Sequence, residues 1–364
     1  MITLIYSHDT LYLGVHIMYP YLKRIMPYVI IILIAVSSTY VYYTHHSKVL
    51  ALKIFCAGSL KIPLDNLSTI FTANYHYEVY IEPSGSIEAI RKVIDLNKAC
   101  DIIAVADYRL IPMYLVPKYT TWFIAFATNQ IVLVYTNKSK YADELAKNPD
   151  RWFQILSKPY VRYGFSDPNK DPCGYRAIGV IALASILYND SSILNNLLLS
   201  KIDGIRCSVF KNETVHVYVS PNISPHGNLI IRPKSVDLIS LLESGAIDYA
   251  FEYRSVAIQH KLNFISLPKE INLGDPSLDN FYSRVVVHIL SGTDKEKAIP
   301  MKSIVYGVAV LNESKNKQLA LEFVKLLLSD KGKKVFEEYG QPPLKEAIGY
   351  GNVPKELEEY VKKS

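Results

Sequence analysis

Cysteine is scarce in this chain. Four residues, Cys56, Cys100, Cys173 and Cys207, are spread through 364 positions and none forms a CxxC pair. That excludes a disulfide scaffold and a cysteine-knotted metal, although one or two pairings in an oxidising compartment stay open. Charge of one sign is equally sparse: 40 Lys and Arg against 34 Asp and Glu leave a formal +6, with no basic block or aromatic-basic stripe. Nucleic acid is therefore a poor partner for it. GxSxG, HExxH, P-loop and Cys/His metal spacings are all missing, as are internal repeats. A chain that only binds needs none of these, and we expect no enzyme and no cofactor.

Long apolar runs are missing too, with one exception. Residues 26–43, MPYVIIILIAVSSTYVYY, carry no charge, follow Lys23 and Arg24, and precede His45, His46, Ser47 and Lys48. The length sits at the short end for a membrane span, and the basic pair predicts that the bulk of the chain lies outside. The Tyr-rich flank makes a poor cleavage site and no cysteine follows to take a lipid, so an uncleaved anchor is expected. This divides the N-terminus into a cytoplasmic segment (1–25), a transmembrane anchor or signal (26–43) and a linker (44–50). The location expected is the extracytoplasmic face of the cell membrane.

From residue 50 onward, short β-branched runs alternate with amphipathic helical stretches, the pattern of an α/β fold with mostly parallel strands. The length allows two lobes of ordinary domain size. FIAFATNQIVLVYTNKS reads as a strand running on into a second lobe, and IVYGVAVL as a strand returning to the first. Lobe I is thus expected over 51–127 and 306–364, and lobe II over 128–305. A helix is predicted from about Ala177 to Tyr188 and another from Val236 to Ser244, with a less regular stretch over 189–228.

The recurrent local feature is a strand that ends in a Gly/Ser turn opening a helix: Gly58-Ser59, then Ser84-Gly85-Ser86. Cys173-Gly174-Tyr175 and Ser235 occupy comparable places in the second lobe. A helix N-terminus offers unpaired N–H groups and partial positive charge, and a hydroxyl adds a donor, so a convergence of these ends would hold a small oxyanion. Taken singly, a serine before a helix is most often only its N-cap. Asp167 and Asp171 in FSDPNKDPCGYR need a reason to sit in such a site, because a carboxylate repels an anion. They read either as turn and capping residues or as ligands to a proton or to the central metal of the oxyanion.

The segments CAGSL, PSGSIEAIRKV, ADYRLIP, FATNQIVLVYTNKSKYADE, GFSDPNKDPCGYR, RPKSVDLISLLESGAIDYAFEYRSVAIQH and EFVKLLLSDKGKKVFEEYGQPPL span roughly Leu52 to Leu344. Together they resemble the archaeal tungstate/molybdate-binding protein family. The resemblance implies a two-lobed periplasmic-binding-protein fold of the second type, with the oxyanion between the lobes and carboxylate oxygens completing octahedral coordination of its metal. It implies that Ser59 and Ser86 donate from lobe I, with Ser84 beside them. From lobe II it implies Asp171 as a coordinating carboxylate, the Cys173 backbone N–H, and the Tyr253 hydroxyl. Ser235 stands where the family has its second carboxylate, and Glu252 is the candidate to compensate, although neighbours along a strand point to opposite faces. The implied partners are an ABC permease with its ATPase, and the chain is expected to be a monomer. Sulfate or phosphate as ligand, and an anchored oxyanion sensor, stay open as alternatives.

Overall fold

The computed structural model describes residues 24–37, 51–75, 77–210 and 213–364. The chain divides into two units, residues 1–50 and residues 51–364. In the first, residues 24–37 are helical, with Ile25, Met26, Tyr28, Ile31 and Leu33 all exposed. Among the described residues no helix is long and apolar enough to cross a membrane. A helix over 24–37 reaches only about 20 Å at 1.5 Å per residue, against roughly 30 Å of hydrocarbon. The anchor expected over 26–43 thus finds no support among the described residues, and its part from 38 to 43 lies outside them, as do most of 1–25 and all of the 44–50 linker.

Among the described residues the second unit carries sixteen strands. In chain order they are β1 (Ala51–Ala57), β2 (Glu78–Ser84), β3 (Ile102–Val105), β4 (Trp122–Asn129), β5 (Ile131–Tyr135), β6 (Tyr163–Ser166), β7 (Ile202–Val209) and β8 (Val215–Pro225). They continue with β9 (Leu229–Arg232), β10 (Tyr249–Tyr253), β11 (Asn263–Ser266), β12 (Val285–Ile289), β13 (Lys297–Pro300), β14 (Ile304–Val310), β15 (Pro343–Gly351) and β16 (Val361–Lys363). Three sheets result, ordered β16-β15-β4-β14-β3-β1-β2, β11-β5-β10-β6-β9 and β13-β12-β8-β7.

In the seven-stranded sheet β1 runs parallel to β2 and β3, while β14 is antiparallel to β3 and β4. The runs IIAV and WFIAFATN are buried along their whole length, as strands covered on both faces must be. The helix Lys61–Tyr75 lays Leu64, Leu67 and Phe71 on one face, and Phe71 meets Phe323 of the helix Lys317–Leu328 at 5.2 Å. The helix Ser86–Ile94 covers the other face, placing Ile90 and Val93 in the cluster around Phe55.

The chain crosses to the five-stranded sheet through Gln130 alone, between β4 and β5, and returns between β13 and β14. The two crossings lie side by side, because Asn129 pairs with Ile304. At the centre of the second core, the helix Pro172–Leu187 is buried nearly all round against Trp152 and Phe251. It starts five residues before the expected Ala177, since Asp171 caps it and Pro172 fills its first position, where a missing N–H costs nothing. The irregular stretch over 189–228 resolves into a short helix, a π turn and strands β7 and β8 of the third sheet.

Gly174 fixes how close this helix comes to its neighbour. A Cβ there would lie 2.1 Å from the Ser166 carbonyl oxygen and 2.8 Å from the Pro168 nitrogen. Backbone cannot yield as a flexible side chain does, so Gly174→Ala is expected to destabilise the fold by roughly 3 kcal/mol, read as a lowered thermal unfolding midpoint.

Candidate functional site

The parallel strands β1 and β2 end in register, Ala57 opposite Ser84, so both Gly/Ser turns emerge at one end of the sheet. A Cβ on Gly58 would lie 3.9 Å from the Ser84 carbonyl oxygen, which makes the two turns direct neighbours. Neither Ser84 nor Ser86 is an N-cap. Gly85 is, and it offers no side chain to the first-turn N–H groups of the helix Ser86–Ile94. The Ser86 hydroxyl accepts from the Ala106 N–H at 3.0 Å, which orients it and leaves its own proton to donate. The Ser59 hydroxyl accepts from Tyr306 Oη at 3.3 Å, and its carbonyl accepts from Gln341 Nε2 at 2.6 Å. Ser84 Oγ has only a long contact to the Gly85 carbonyl, 3.4 Å.

In the second core the residues gather around the N-terminus of the helix Pro172–Leu187. Asp171 Oδ1 accepts from the Cys173 N–H at 2.8 Å and its Oδ2 from the Ser235 N–H at 2.7 Å. Asp171 therefore caps the helix and ties it to the turn before the helix Asp237–Ser244. The Cys173 N–H, implied as an oxyanion donor, is engaged by Asp171 in this structure. Each carboxylate oxygen retains a second lone pair. Asp167 makes a local turn, accepting from the Asn169 N–H and pairing with Lys170 at 2.8 Å.

Glu252 is 1 % exposed. Its Oε2 accepts from the Cys173 thiol at 3.3 Å, and its Oε1 has no hydrogen-bond partner. Tyr253, its neighbour, accepts at Oη from Arg176 Nη1 at 2.5 Å. Strand alternation would separate these two side chains, yet both reach the N-terminal part of one helix. Cys173 and Arg176 are three apart and share a helix face, and Tyr253 ends its strand where the chain turns into the helix Arg254–Gln259. Arg176 is a component that sequence reading missed. Nothing marks it there except its place two residues after Gly174.

A buried polar line joins the two groups. Asn129 Nδ2 donates to Tyr306 Oη at 2.7 Å and to Ser255 Oγ at 2.8 Å, and Tyr306 reaches Ser59. Tyr175 and Arg176 lie within electrostatic reach of Asp107, which follows Ala106 and is held by Arg109 at 2.7 Å. The structure thus brings Ser59 and Ser86 to one side, and Asp171, Cys173, Ser235, Glu252 and Tyr253 to the other. A separate cavity of about 570 Å³, lined by Lys53, Asp101, Lys118 and Lys315, holds none of these residues.

Burial pushes the Tyr253 hydroxyl well above its ordinary value, against the opposing pull of Arg176, so it keeps its proton and can donate. Burial likewise raises the fully enclosed Cys173 thiol, helped by Glu252 and Asp171, which leaves it inert as a nucleophile. Glu252 rises from 4.5 to about 8, through burial first and the Asp171 charge as well, while the polar groups of Cys173 and Ser235 beside it oppose the rise.

For an acid raised on folding, the folded chain holds a proton that the unfolded chain has lost. Its contribution to stability is complete below about pH 4.5 and disappears as the pH climbs through about 8. Thermal melts at pH 5 and pH 9 should therefore differ less in Glu252→Gln than in the unaltered chain, by at most about 5 kcal/mol in stability. An unchanged difference would mean that Glu252 is ionised in the fold.

The sequence matches the family of bacterial extracellular solute-binding proteins over residues 52–341. It is 47% identical over 317 residues to the molybdate/tungstate-binding protein WtpA of Pyrococcus abyssi, covering 85% of this chain and 89% of that protein. The protein of the same name from Thermococcus kodakarensis is 45% identical over 317 residues, covering 85% and 87%. A solute-binding protein of Staphylothermus marinus is 56% identical over 331 residues, covering 90% and 93%. Among solved structures, the periplasmic molybdate-binding protein of Azotobacter vinelandii superposes with a TM-score of 0.50 at 15% identity, covering 80% of this chain and 98% of that one. That likeness bears on the fold, which is the α/β periplasmic-binding-protein fold.

Proposed function

This chain belongs to the bacterial extracellular solute-binding protein family, and we propose on that footing that it captures tungstate or molybdate outside the cytoplasmic membrane for an ABC importer. The observation that supports the reading is the presence of two unlike donor sets: hydroxyls and uncapped helix N–H groups beside Ser59 and Ser86, and a carboxylate-bearing helix end at Asp171. The first set suits the oxygens of a tetrahedral anion. The second suits a high-valent metal at its centre, which accounts for acids in an anion site.

In this reading the two sheets head two lobes, 51–127 with 306–364 and 128–305, and the anion sits between them. Ser59, Ser84 and Ser86 donate from one side. Ser235 and Tyr253 donate from the other, with the Cys173 N–H shared with Asp171. Asp171 contributes a carboxylate oxygen to the metal of the bound anion. The unpartnered Oε1 of Glu252, enclosed beside Ser235, supports it as the second carboxylate in place of the one that Ser235 lacks. The chain acts as a monomer that docks on a permease and its ATPase, with residues 26–43, an uncharged and largely apolar run, as membrane anchor.

Calorimetric titration with tungstate, molybdate, sulfate and phosphate tests the ligand. Tungstate and molybdate are expected to bind tightly and the other two weakly. Asp171→Asn, which keeps an N-cap while removing the charge, should lose at least about 100-fold in affinity, some 2.8 kcal/mol. Tight sulfate or phosphate binding would replace the substrate, and no binding of any of the four would favour a sensor. The anchor predicts that the chain pelletes with alkali-washed membranes and becomes soluble when residues 1–47 are deleted; recovery of the full chain in the soluble fraction would remove it.

A further inference from the structure

Arg176 is a buried cation without a carboxylate of its own. It is 5 % exposed, and among the described residues no acid forms an ion pair with it. Its neighbours are aromatic: Nη1 donates to Tyr253 Oη, and its guanidinium stands 5.6 Å from the ring centres of both Tyr175 and Tyr253. The placement is costly, because a buried charge loses its hydration.

The three acids nearby are all committed elsewhere. Asp107 is gripped by Arg109 through both oxygens. Asp171 spends its two oxygens on the Cys173 and Ser235 N–H groups. Glu252 faces the Cys173 thiol. What remains for Arg176 to act on is the Tyr253 hydroxyl, whose proton points away from the guanidinium because its oxygen is the acceptor.

Building on the proposed oxyanion site, we propose that Arg176 supplies the counter-charge for a doubly charged anion, acting through the Tyr253 hydroxyl that it polarises, and so selects dianions over monoanions of the same shape. Arg176 is then a positioning and charge-setting residue, and Tyr253 the group that touches the anion. A guanidinium that donates to a phenol oxygen makes the phenol proton a stronger donor, and the gain grows with the charge of the acceptor.

The test compares tungstate with perrhenate, a tetrahedral anion of similar size that carries one negative charge, by competition titration on the full chain and on Arg176→Lys and Arg176→Met. Arg176→Met should lose at least about 100-fold for tungstate and under about 5-fold for perrhenate, while Arg176→Lys, which keeps the charge, stays within about 10-fold for tungstate. Should perrhenate lie below detection in every variant, the contrast between Lys and Met decides. Equal losses for both anions, a Lys variant as weak as the Met variant, or a Met variant with unaltered tungstate affinity would each overturn the assignment and leave Arg176 a packing residue. If the unaltered chain binds neither tungstate nor molybdate, the oxyanion reading fails and this inference falls with it. Thermal melts of both variants separate loss of affinity from loss of fold.

Discussion

The second half of the site rests on one carboxylate. Asp171 accepts two backbone N–H groups from segments 62 residues apart, Cys173 at the start of one helix and Ser235 before another. A charged acceptor makes such bonds short and strong, and it offsets the positive helix end that would otherwise face bare N–H groups. Once the two segments are pinned, the remaining groups have little choice of place. Cys173 lies over Glu252, Arg176 three residues on meets Tyr253, and Gly174 lets the whole turn press against the end of β6 with no room for a methyl group. Asp171 is thus first a structural clamp, and only in the proposed anion site also a group that would meet a metal.

The first half is organised differently, by hydroxyls and amides in a line. Asn129, Tyr306 and Ser255 are each almost wholly enclosed, and Asn129 donates to both of the others. Buried polar groups of this kind stabilise little unless every member is paired, but paired they permit one arrangement of the chain and no other. Gln341 adds a bond to the Ser59 carbonyl from the far end of the sequence. The serine that opens the first helix is therefore placed by residues from β4, β14 and the approach to β15, not by its own turn.

Much of this was legible beforehand, and the part that was not has physical causes. Buried strands such as IIAV and the Gly/Ser turns after β1 and β2 announce themselves because composition alone determines them. The start of the helix at Pro172 was misjudged because Asp-Pro serves equally as a turn opener and as a cap followed by the first helical position. The third sheet was faint because β7 exposes much of its length and Gly204, at φ +88°, breaks its register with β8. Arg176 was invisible for another reason. In sequence an arginine in a helix reads as solvated, and only the fold encloses it between two tyrosines. Glu252 and Tyr253 illustrate the limit of strand alternation, which holds within a strand and lapses at its last residue.

The paired crossings between the sheets have a mechanical consequence. Asn129 and Ile304 are partners in the ladder between β4 and β14, and one link is a single residue whose carbonyl is itself held by the Arg254 N–H. Under the proposed reading, two short links set side by side would act as a leaf hinge, bending across their width more readily than they twist or slide. Closure would then follow one arc, and the diameter of an anion caught between the halves would set the angle at which the swing stops.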